Sequence, residues 1–484
     1  MNKICLFIYV LTLIGMSACY EDKGNYDYHP VNQITITGIE KEYQREKWDL
    51  LAIHPEFLFS QKETDQLAYR WEVDGRLVSQ ERDLAYDVDV NVSDGVYKCR
   101  MTVIHLADSS RYFQEFDLKV VTPFESGLMV LSEQEGKAML SFRSDSYTTP
   151  DFLKWVFLSE NGKNLEGKPL SLEQSFWNYN GEIFVTTSSG SYRLDQKLLK
   201  LLKRYDGNTM LVEEPDFEFK SCIFSDMADE YSVGCAIGTN GQVYVFRDRN
   251  DYFASPSPRP ILIKNEEPAS IDYELSDKFI ITTMGFGSTC RFLGYDNLEG
   301  RFLYFGKGSP SDPDQLDRVY VRTPLIGLPI LATGCWDYNK FGSFFYDPQT
   351  DVAKVVASHN ATFSGVKDEA LVTLTDHYFT SATILKFCDA TGRAIISSGR
   401  TLLHTCMSNV TAPSTVLSDK LPEGAEITCL KFSSDRKRLY VGVLSDRSDE
   451  FRGDLYVLDA VSGAIIGEPY RGVGGKLVDV IEKF

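Results

Sequence analysis

Aromatic residues beside amide or carboxylate side chains, in segments that look like turns, are the main ligand-binding signal in this chain. Trp177 and Tyr179 flank an asparagine in one segment, and Trp336 and Tyr338 flank an aspartate in another. An aromatic ring offers a stacking surface and the polar neighbour offers hydrogen bonds, which together suit a sugar ring or a peptide. We predict these four residues as ligand-binding residues. The alternative is that the rings pack between neighbouring structural units, which is the commoner use of large aromatic side chains.

Recognised catalytic motifs are missing from the sequence. It contains no H-E-x-x-H, no G-x-S-x-G and no phosphate-binding loop, and no cysteine or histidine pair stands at zinc spacing. With 69 acidic residues, a glycosidase-like carboxylate pair can be found on paper, but no spacing singles one out. We therefore predict no catalytic residue, no metal site, no cofactor and a protein that is not an enzyme.

The start of the chain predicts export and a lipid anchor. A positively charged first turn precedes the apolar run 4–16, which is shorter than the roughly 20 residues that a membrane-spanning helix needs. Ser17 and Ala18 follow directly before Cys19. Small residues before a cysteine resemble the bacterial lipobox, in which the cysteine becomes the acylated N-terminus. The alternative is an ordinary secretory signal followed by a chance cysteine.

These features predict a signal peptide over 1–18 and a tether over 19–30, with Cys19 as the lipidation site. Acidic residues stand at positions 21 and 22. Carboxylates directly behind the lipid-bearing cysteine resemble the surface-export signal of Gram-negative bacteria. The expected location is therefore the outer membrane, with the protein lipid-anchored and facing the cell exterior. A merely polar tether is the alternative.

Composition limits the classes of fold and partner. The chain has 484 residues, of which 43% are hydrophobic and 25% charged, so it can pack a core and is not disordered. The 30 Phe and 26 Tyr favour strands. The net charge of −19 argues against nucleic acid as a partner, because phosphate contacts require a basic face. The cysteines that follow Cys19 lie mostly in apolar, strand-like runs, which favours buried thiols over disulfides.

Residues 31–122 read as a small β-sandwich. Apolar and polar residues alternate over 32–38 and 86–92, which is the period of a half-buried strand. Trp71 stands in the middle of another strand that runs into an Asp-Gly hairpin turn. Trp71 followed by Tyr97-x-Cys99 resembles two strands of an immunoglobulin-type sandwich. No partner cysteine stands on an earlier strand, so the usual disulfide between the sheets is not expected.

The segment 19–28 running into 34–39, together with the strand 69–75, resembles the start of PKD-like family lipoproteins. The resemblance is clearest over 19–122. It implies a surface lipoprotein, often encoded beside outer-membrane nutrient importers and their lipoprotein lids. It brings no catalytic residue, and Cys19 is the one functional position that it carries over.

Residues 125–484 contain an all-β repeat. Seven strand-like segments end in aspartate, often with glycine soon after, and most follow one another at about fifty residues. Fifty residues of strand and turn are typical of one propeller blade. The aspartates that mark the segments are Asp145, Asp195, Asp248, Asp296, Asp347, Asp389 and Asp459. The sequence therefore predicts an all-β chain with an N-terminal Ig/PKD-like sandwich followed by a roughly seven-bladed β-propeller.

Two details of the repeat generate further expectations. The segment 427–443 resembles a regular blade of β-propeller repeat proteins. The last interval is near seventy residues, which indicates an insertion around 401–424 or an eighth blade. The C-terminal strand 476–481 is expected to close the ring by joining the first blade.

Two classes of function follow from these observations. The first is a surface-exposed, non-enzymatic lipoprotein that binds a glycan or peptide, or serves as an accessory subunit of an outer-membrane nutrient importer. Its expected partners are membrane lipid through Cys19, an importer complex, and a glycan or peptide. The alternative is a glycan-active hydrolase or lyase on a propeller scaffold, since fold alone does not exclude one. A carboxylate pair about 5–9.5 Å apart in a cleft would favour the enzyme.

Overall fold

The computed structural model describes residues 31–484 apart from fifteen short segments. Those segments are 47–48, 63–65, 91–95, 123, 146–150, 176–180, 225–233, 248–250, 255–260, 265–266, 283–290, 307–317, 322–324, 338–339 and 360–369. The described part is built almost wholly from strands, so the predicted all-β class is confirmed. In this part no helix is both long and apolar enough to cross a membrane. The chain divides into two compact units, Met1–Val121 and Thr122–Phe484.

The first unit is a sandwich built around Trp71. Its described strands are β1 (Ile34–Thr37), β2 (Glu42–Glu46), β3 (Leu50–Ile53), β4 (Glu56–Phe59), β5 (Leu67–Val73), β6 (Arg76–Ser79), β7 (Leu84–Asp87), β8 (Tyr97–His105) and β9 (Arg111–Val121). Five of them form one sheet in the order β2-β9-β8-β5-β6, and the pairs β1-β4 and β3-β7 complete the unit. Trp71 is buried, contacts Phe116 edge-on, and donates from Nε1 to the Glu81 carbonyl at 3.0 Å.

The strand predicted over 86–92 is shorter in the structure, because β7 ends at Asp87. Two residues later the Asp89 carboxylate accepts hydrogen bonds from the Arg76 guanidinium and the Tyr86 hydroxyl. These bonds hold the pKa of Asp89 down at about 2. The alternating sequence pattern continues past Asp87. The backbone, however, leaves the strand there, and Asp89 pairs with Arg76 and Tyr86 instead of extending the β-ladder. Residues 91 and 92 lie outside the described part.

In its described residues, the second unit contains the remaining strands and one short helix, α1 (Val156–Asn161). The strands are β10 (Gly127–Gln134), β11 (Lys137–Ser144), β12 (Pro169–Ser175), β13 (Glu182–Thr187), β14 (Gly190–Leu194), β15 (Leu201–Tyr205), β16 (Phe219–Phe224), β17 (Gly234–Gly238), β18 (Val243–Arg247), β19 (Tyr252–Ala254), β20 (Ile261–Lys264), β21 (Glu267–Ser270), β22 (Leu275–Thr282), β23 (Arg291–Asp296), β24 (Arg301–Gly306), β25 (Arg318–Val321), β26 (Ile330–Asp337), β27 (Lys340–Asp347), β28 (Val352–His359), β29 (Leu371–Leu374), β30 (Leu385–Cys388), β31 (Arg393–Ser398), β32 (Thr401–Cys406), β33 (Thr415–Ser418), β34 (Glu426–Phe432), β35 (Arg438–Leu444), β36 (Gly453–Asp459), β37 (Tyr470–Gly474) and β38 (Lys476–Lys483). Single-turn 3₁₀ helices lie at Gly207–Thr209 and Met407–Asn409.

These strands form seven sheets, which are the blades of a β-propeller. From the centre outward, blade 1 is β38-β10-β11, blade 2 β12–β15, blade 3 β16–β19, blade 4 β22–β25 with the hairpin β20-β21 added, blade 5 β26–β29, blade 6 β30–β33 and blade 7 β34–β37. The innermost strands contact one another in sequence and return from β34 to β38, so the ring is closed. A separate buried apolar cluster lies between each pair of neighbouring blades. The predicted seven blades are confirmed.

The C-terminal strand closes the ring as expected. Strand β38 pairs antiparallel with β10, so the two ends of the unit share blade 1. Leu477 and Val480 on β38 are buried in the cluster that joins blades 7 and 1. Leu477 packs so closely on β36 that a Cβ at Gly453 would overlap its methyl group. Glycine at this position therefore permits the closing contact.

The aspartates of the repeat do not mark equivalent strands, which corrects the predicted plan. Asp195 follows the third strand of blade 2, Asp296 ends the second strand of blade 4, and Asp389 follows the first strand of blade 6. A turn that contains Asp can connect any two neighbouring strands of a blade. Such turns therefore recur at about the blade length without following the same strand in every blade. The long last interval runs from the first strand of blade 6 to the third strand of blade 7. The expected insertion at 401–424 was wrong, because β32 and β33 occupy it.

The described cysteines carry free thiols, and most of them are buried. Burial raises the pKa of the Cys99 and Cys429 thiols to about 12. Such thiols are inert hydrophobic side chains, as the apolar context of these cysteines predicted. Cys406 is exposed.

The closing contact predicts a large stability difference between two leucines of the propeller. Leu477→Ala leaves a cavity at the junction of blades 7 and 1 and should cost about 2–5 kcal/mol of unfolding free energy. Leu298→Ala, at a position 59% exposed on a turn of blade 4, should change stability by less than about 0.5 kcal/mol. Urea titration of both variants measures the difference, and equal midpoints would contradict the closure described above.

Candidate functional site

Trp336 lies near the C-terminal end of β26, and its side chain packs mainly between blades 5 and 6. Its side chain is 7% exposed and shares an apolar cluster with Phe344 of blade 5 and Leu403 and Met407 of blade 6. The indole Nε1 donates to the Ala357 carbonyl at 2.6 Å, which fixes the ring against the next strands of its own blade. Replacing the whole side chain would therefore remove core packing as well as any contact with a ligand.

The other predicted functional residues are Cys19, Trp177, Tyr179 and Tyr338, and all four lie outside the described residues. The predicted pairing of Trp177 with Tyr179, and of Trp336 with Tyr338, is therefore not tested. The lipidation role of Cys19 and the ligand-binding roles of the other three residues stay predictions. Trp336 is the predicted site residue that lies within the described part of the chain.

An open cavity of about 560 Å³ lies against the free edge of Trp336. One wall comes from blade 5 and the other from the 3₁₀ turn Met407–Asn409 of blade 6 and the two residues after it. The described lining residues are Trp336, Lys340, Ala357, Ser358, Ala370, Val372, Met407, Ser408, Asn409, Val410 and Thr411. This volume lies within the range of about 300–1,000 Å³ that small-molecule sites occupy.

Close approach of blade 6 to blade 5 shapes the floor of the cavity. Met407 is buried, and its backbone N–H donates to the Gly392 carbonyl at 2.9 Å, which anchors the turn to its own blade. A Cβ at Gly342 on β27 would lie 2.7 Å from Met407 Cε and 3.2 Å from Trp336 Cδ1. The missing side chain at Gly342 therefore lets the methionine and the indole meet.

The ammonium of Lys340 lies over the Trp336 indole. The Lys340 ammonium lies 5.0 Å from the centroid of the Trp336 ring and 2.8 Å from the Asp337 carboxylate. Half of the Lys340 side chain is exposed, and an exposed ion pair contributes only about 0–1 kcal/mol. An incoming ligand can displace this lysine at small cost, and the displaced ammonium can then donate to the ligand.

The rim of the cavity supplies neutral hydrogen-bonding groups. Ser358, Ser408, Asn409 and Thr411 bring hydroxyl and amide groups to an apolar floor. The Thr411 hydroxyl donates to Asn409 Oδ1 at 3.2 Å, so the Asn409 amide oxygen is engaged and its Nδ2 group is the donor it can offer a ligand. The described lining contains no carboxylate, so the acid–base pair of a glycosidase is not built into it. This arrangement is suited to holding a polar ligand.

An exposed thiol stands next to the cavity. Cys406 is exposed, and its Sγ lies 3.1 Å from the Ser408 hydroxyl, a lining group. Hydrogen bonding from Ser408 lowers the pKa of the Cys406 thiol. A ligand that takes up Ser408 would therefore change the chemistry of Cys406 without touching its sulfur. Across the described part of the chain, no three histidine, cysteine or acidic residues gather in a metal-binding arrangement.

Of the residues that line the cavity, Trp336 was predicted from the sequence, whereas Lys340, Ser358 and Asn409 were not. These residues reach the cavity through the pairing of β26, β27 and β28 and through a turn that comes more than seventy positions later in the chain. The polar turn Ser408-Asn409 after β32 was a weak local signal, because such turns occur at the end of many strands.

Comparisons with known proteins cover both units. The model of the PKD-like family matches residues 19–169, a minority of the chain. No curated protein matches the sequence. Among solved structures, a quinonprotein alcohol dehydrogenase-like protein from Bacteroides thetaiotaomicron is similar with 12% identity and a TM-score of 0.47, over 94% of this chain and 100% of that one.

Two further structures are similar at the same low level. The periplasmic gluconolactonase of Pseudomonas aeruginosa has 12% identity and a TM-score of 0.42, over 74% of this chain and 99% of that one. The extracellular domain of a putative one-component system from B. thetaiotaomicron has 8% identity and a TM-score of 0.40, over 87% of this chain and 60% of that one. The blade count of this protein stands on its own strand pairing.

Proposed function

We propose that this chain is a surface-exposed bacterial lipoprotein that binds a glycan or peptide without chemical conversion, as an accessory subunit of an outer-membrane nutrient importer. The observation that carries the proposal is the cavity beside Trp336, with an apolar floor, a displaceable ammonium and a rim of hydroxyl and amide groups. Nothing in its described lining supplies a carboxylate for acid–base catalysis.

A neutral or weakly acidic saccharide fits this site best. The carbon–hydrogen face of a sugar ring can lie against the edge of Trp336 and the side chain of Val372, which are both part of the lining. Its hydroxyls can pair with Asn409 and Ser358, while Lys340 swings from the indole to the ligand. Apart from Lys340, these groups already line the cavity, so little conformational entropy would be lost in ordering them.

The location outside the cell is supported by sequence features of the first segment. The apolar run 4–16, the small residues before Cys19 and the acidic residues after it fit a lipoprotein signal with a surface-export tag. The match of the PKD-like family model begins at residue 19, where the mature lipoprotein would begin. A net charge of −19 suits a protein that must stay solvated on a cell surface.

Ligand binding can be tested through the exposed thiol beside the cavity. The rate of Cys406 alkylation by iodoacetamide, followed by mass spectrometry across a panel of neutral oligosaccharides and short peptides, should fall in a saturable way for the ligand that binds. Asn409→Ala should weaken that protection about threefold to tenfold, the loss expected for one or two neutral hydrogen bonds.

Asn208→Ala is the matched control, because Asn208 is an exposed asparagine on another single-turn 3₁₀ helix, in blade 2. It should leave protection unchanged. Protection that is equal in Asn409→Ala and wild type would show that the ligand binds elsewhere. Release of new reducing ends or free peptide fragments would instead favour the alternative of a hydrolase or lyase.

The lipid anchor has a separate test. Cys19→Ala should abolish labelling of the protein by radioactive palmitate in the cell and move it out of the outer-membrane fraction. Cys5→Ala, inside the predicted signal, is the matched control and should leave both label and location unchanged. A Cys19→Ala protein that keeps the label and stays in the membrane fraction would disprove the anchor.

A further inference from the structure

Charged side chains on the innermost strands gather at the centre of the propeller. Among them are the lysines Lys278 on β22 of blade 4, Lys386 on β30 of blade 6 and Lys431 on β34 of blade 7. The facing carboxylates are Asp479 on β38 and Glu173 on β12, from blades 1 and 2. Lys386 is exposed although it stands on the innermost strand of blade 6, so its side chain opens toward the central channel.

Most of these charges already have partners. Lys431 Nζ lies 2.9 Å from Asp479 Oδ1, and Lys278 Nζ lies 2.6 Å from the carboxylate of Asp277, its neighbour in sequence. The Glu173 carboxylate accepts a hydrogen bond from the backbone N–H of Phe224. Asp479 and Glu173 therefore each have a partner other than Lys386 among the described residues.

Lys386 differs from Lys278 and Lys431 in having no charged partner among the described residues. Its neighbours Leu385 and Phe387 on β30 are buried between blades, whereas the Lys386 side chain is exposed to solvent. Within the described residues its ammonium has no ion pair and no hydrogen bond. An exposed side chain on an innermost strand opens into the water of the channel itself.

The surroundings of Lys386 disfavour its charge. The pKa of Lys386 is lowered, first by the desolvation that the encircling blades impose and then by the positive charge of Lys431, with a smaller contribution from Lys278. Asp479 opposes this shift but is held by Lys431. An anion that entered the channel would relieve this repulsion and supply an acceptor for Lys386, which has none among the described side chains.

We propose that the central channel is a binding site for a small oxyanion, which is held by Lys386 with Lys278 and Lys431 nearby. The ligand class is a sulfate, a phosphate or the carboxylate of an acidic sugar, either free or as the end group of a larger ligand. The site is separate from the cavity beside Trp336 and does not depend on the function proposed for that cavity.

The test compares the oxyanions with chloride at equal ionic strength. Sodium sulfate, sodium phosphate and sodium glucuronate are titrated separately into the folded protein labelled with ¹³C at the lysine Cε positions, and the Lys386 resonance is followed. At least one oxyanion should shift this resonance in a saturable way and raise the pKa of Lys386, and chloride should not. The three titrations distinguish an inorganic anion from a sugar carboxylate.

Variants assign the site to Lys386. Lys386→Met removes an uncompensated charge, so it should fold with an unchanged or higher melting temperature and lose the saturable thermal stabilisation by the anion. Affinity should fall about tenfold or more, the loss expected for one charge-assisted hydrogen bond. Lys386→Arg should retain binding. Lys420→Met is the matched control, since Lys420 is an exposed lysine of the same blade, paired with Asp419.

Either of two results would overturn the proposal. One is that no oxyanion moves the Lys386 resonance more than chloride does. The other is that Lys386→Met is stabilised by the anion as strongly as wild type and Lys420→Met, which would reduce the effect to a general action of salt on the surface. Both results are independent of whether an oligosaccharide protects Cys406.

Discussion

The pairing of the C-terminal strand with the first strand of the propeller is the constraint on which the second unit depends. A blade buries its two faces only against its neighbours, so an open ring would leave one face of blade 1 and one face of blade 7 in water. Strand β38 covers both by joining β10 in one sheet and packing Leu477 and Val480 against blade 7. Closure therefore turns seven marginal sheets into one stable unit.

The closing strand is also tied to the blades on either side of it. The two oxygens of Asp479 accept separately, one from Lys431 Nζ of blade 7 at 2.9 Å and the other from the backbone N–H of Leu172 of blade 2 at 3.0 Å. The carbonyl of Phe484 accepts from Gln174 of blade 2 at 2.8 Å. The same strand thereby positions the carboxylate that neutralises Lys431 in the channel and leaves Lys386 without one.

How much could be predicted from sequence depends on whether the signal is local. Alternation, aromatic content and a length of about fifty residues per repeat are properties of each blade, so the all-β class, the seven blades and the closing strand were predictable. The phase of the Asp turns was not, because Asp195 and Asp296 serve hairpins at different positions in their blades. The cavity partners were not predictable either. Trp336 stood out as a large aromatic residue in a polar turn, whereas Lys340 and Asn409 meet only after two blades have packed.

Closure by β38 matters most for the propeller, since the central channel exists only inside a closed ring. Amide hydrogen exchange of the peptide that covers 476–484 tests it most directly, with the β10 peptide 127–134 as its partner in the same sheet. We expect both peptides to exchange together, at the slow rate set by global unfolding of the propeller. Exchange of β38 far ahead of β10, while the other blades stay protected, would show that the strand detaches alone and that it does not hold the ring closed.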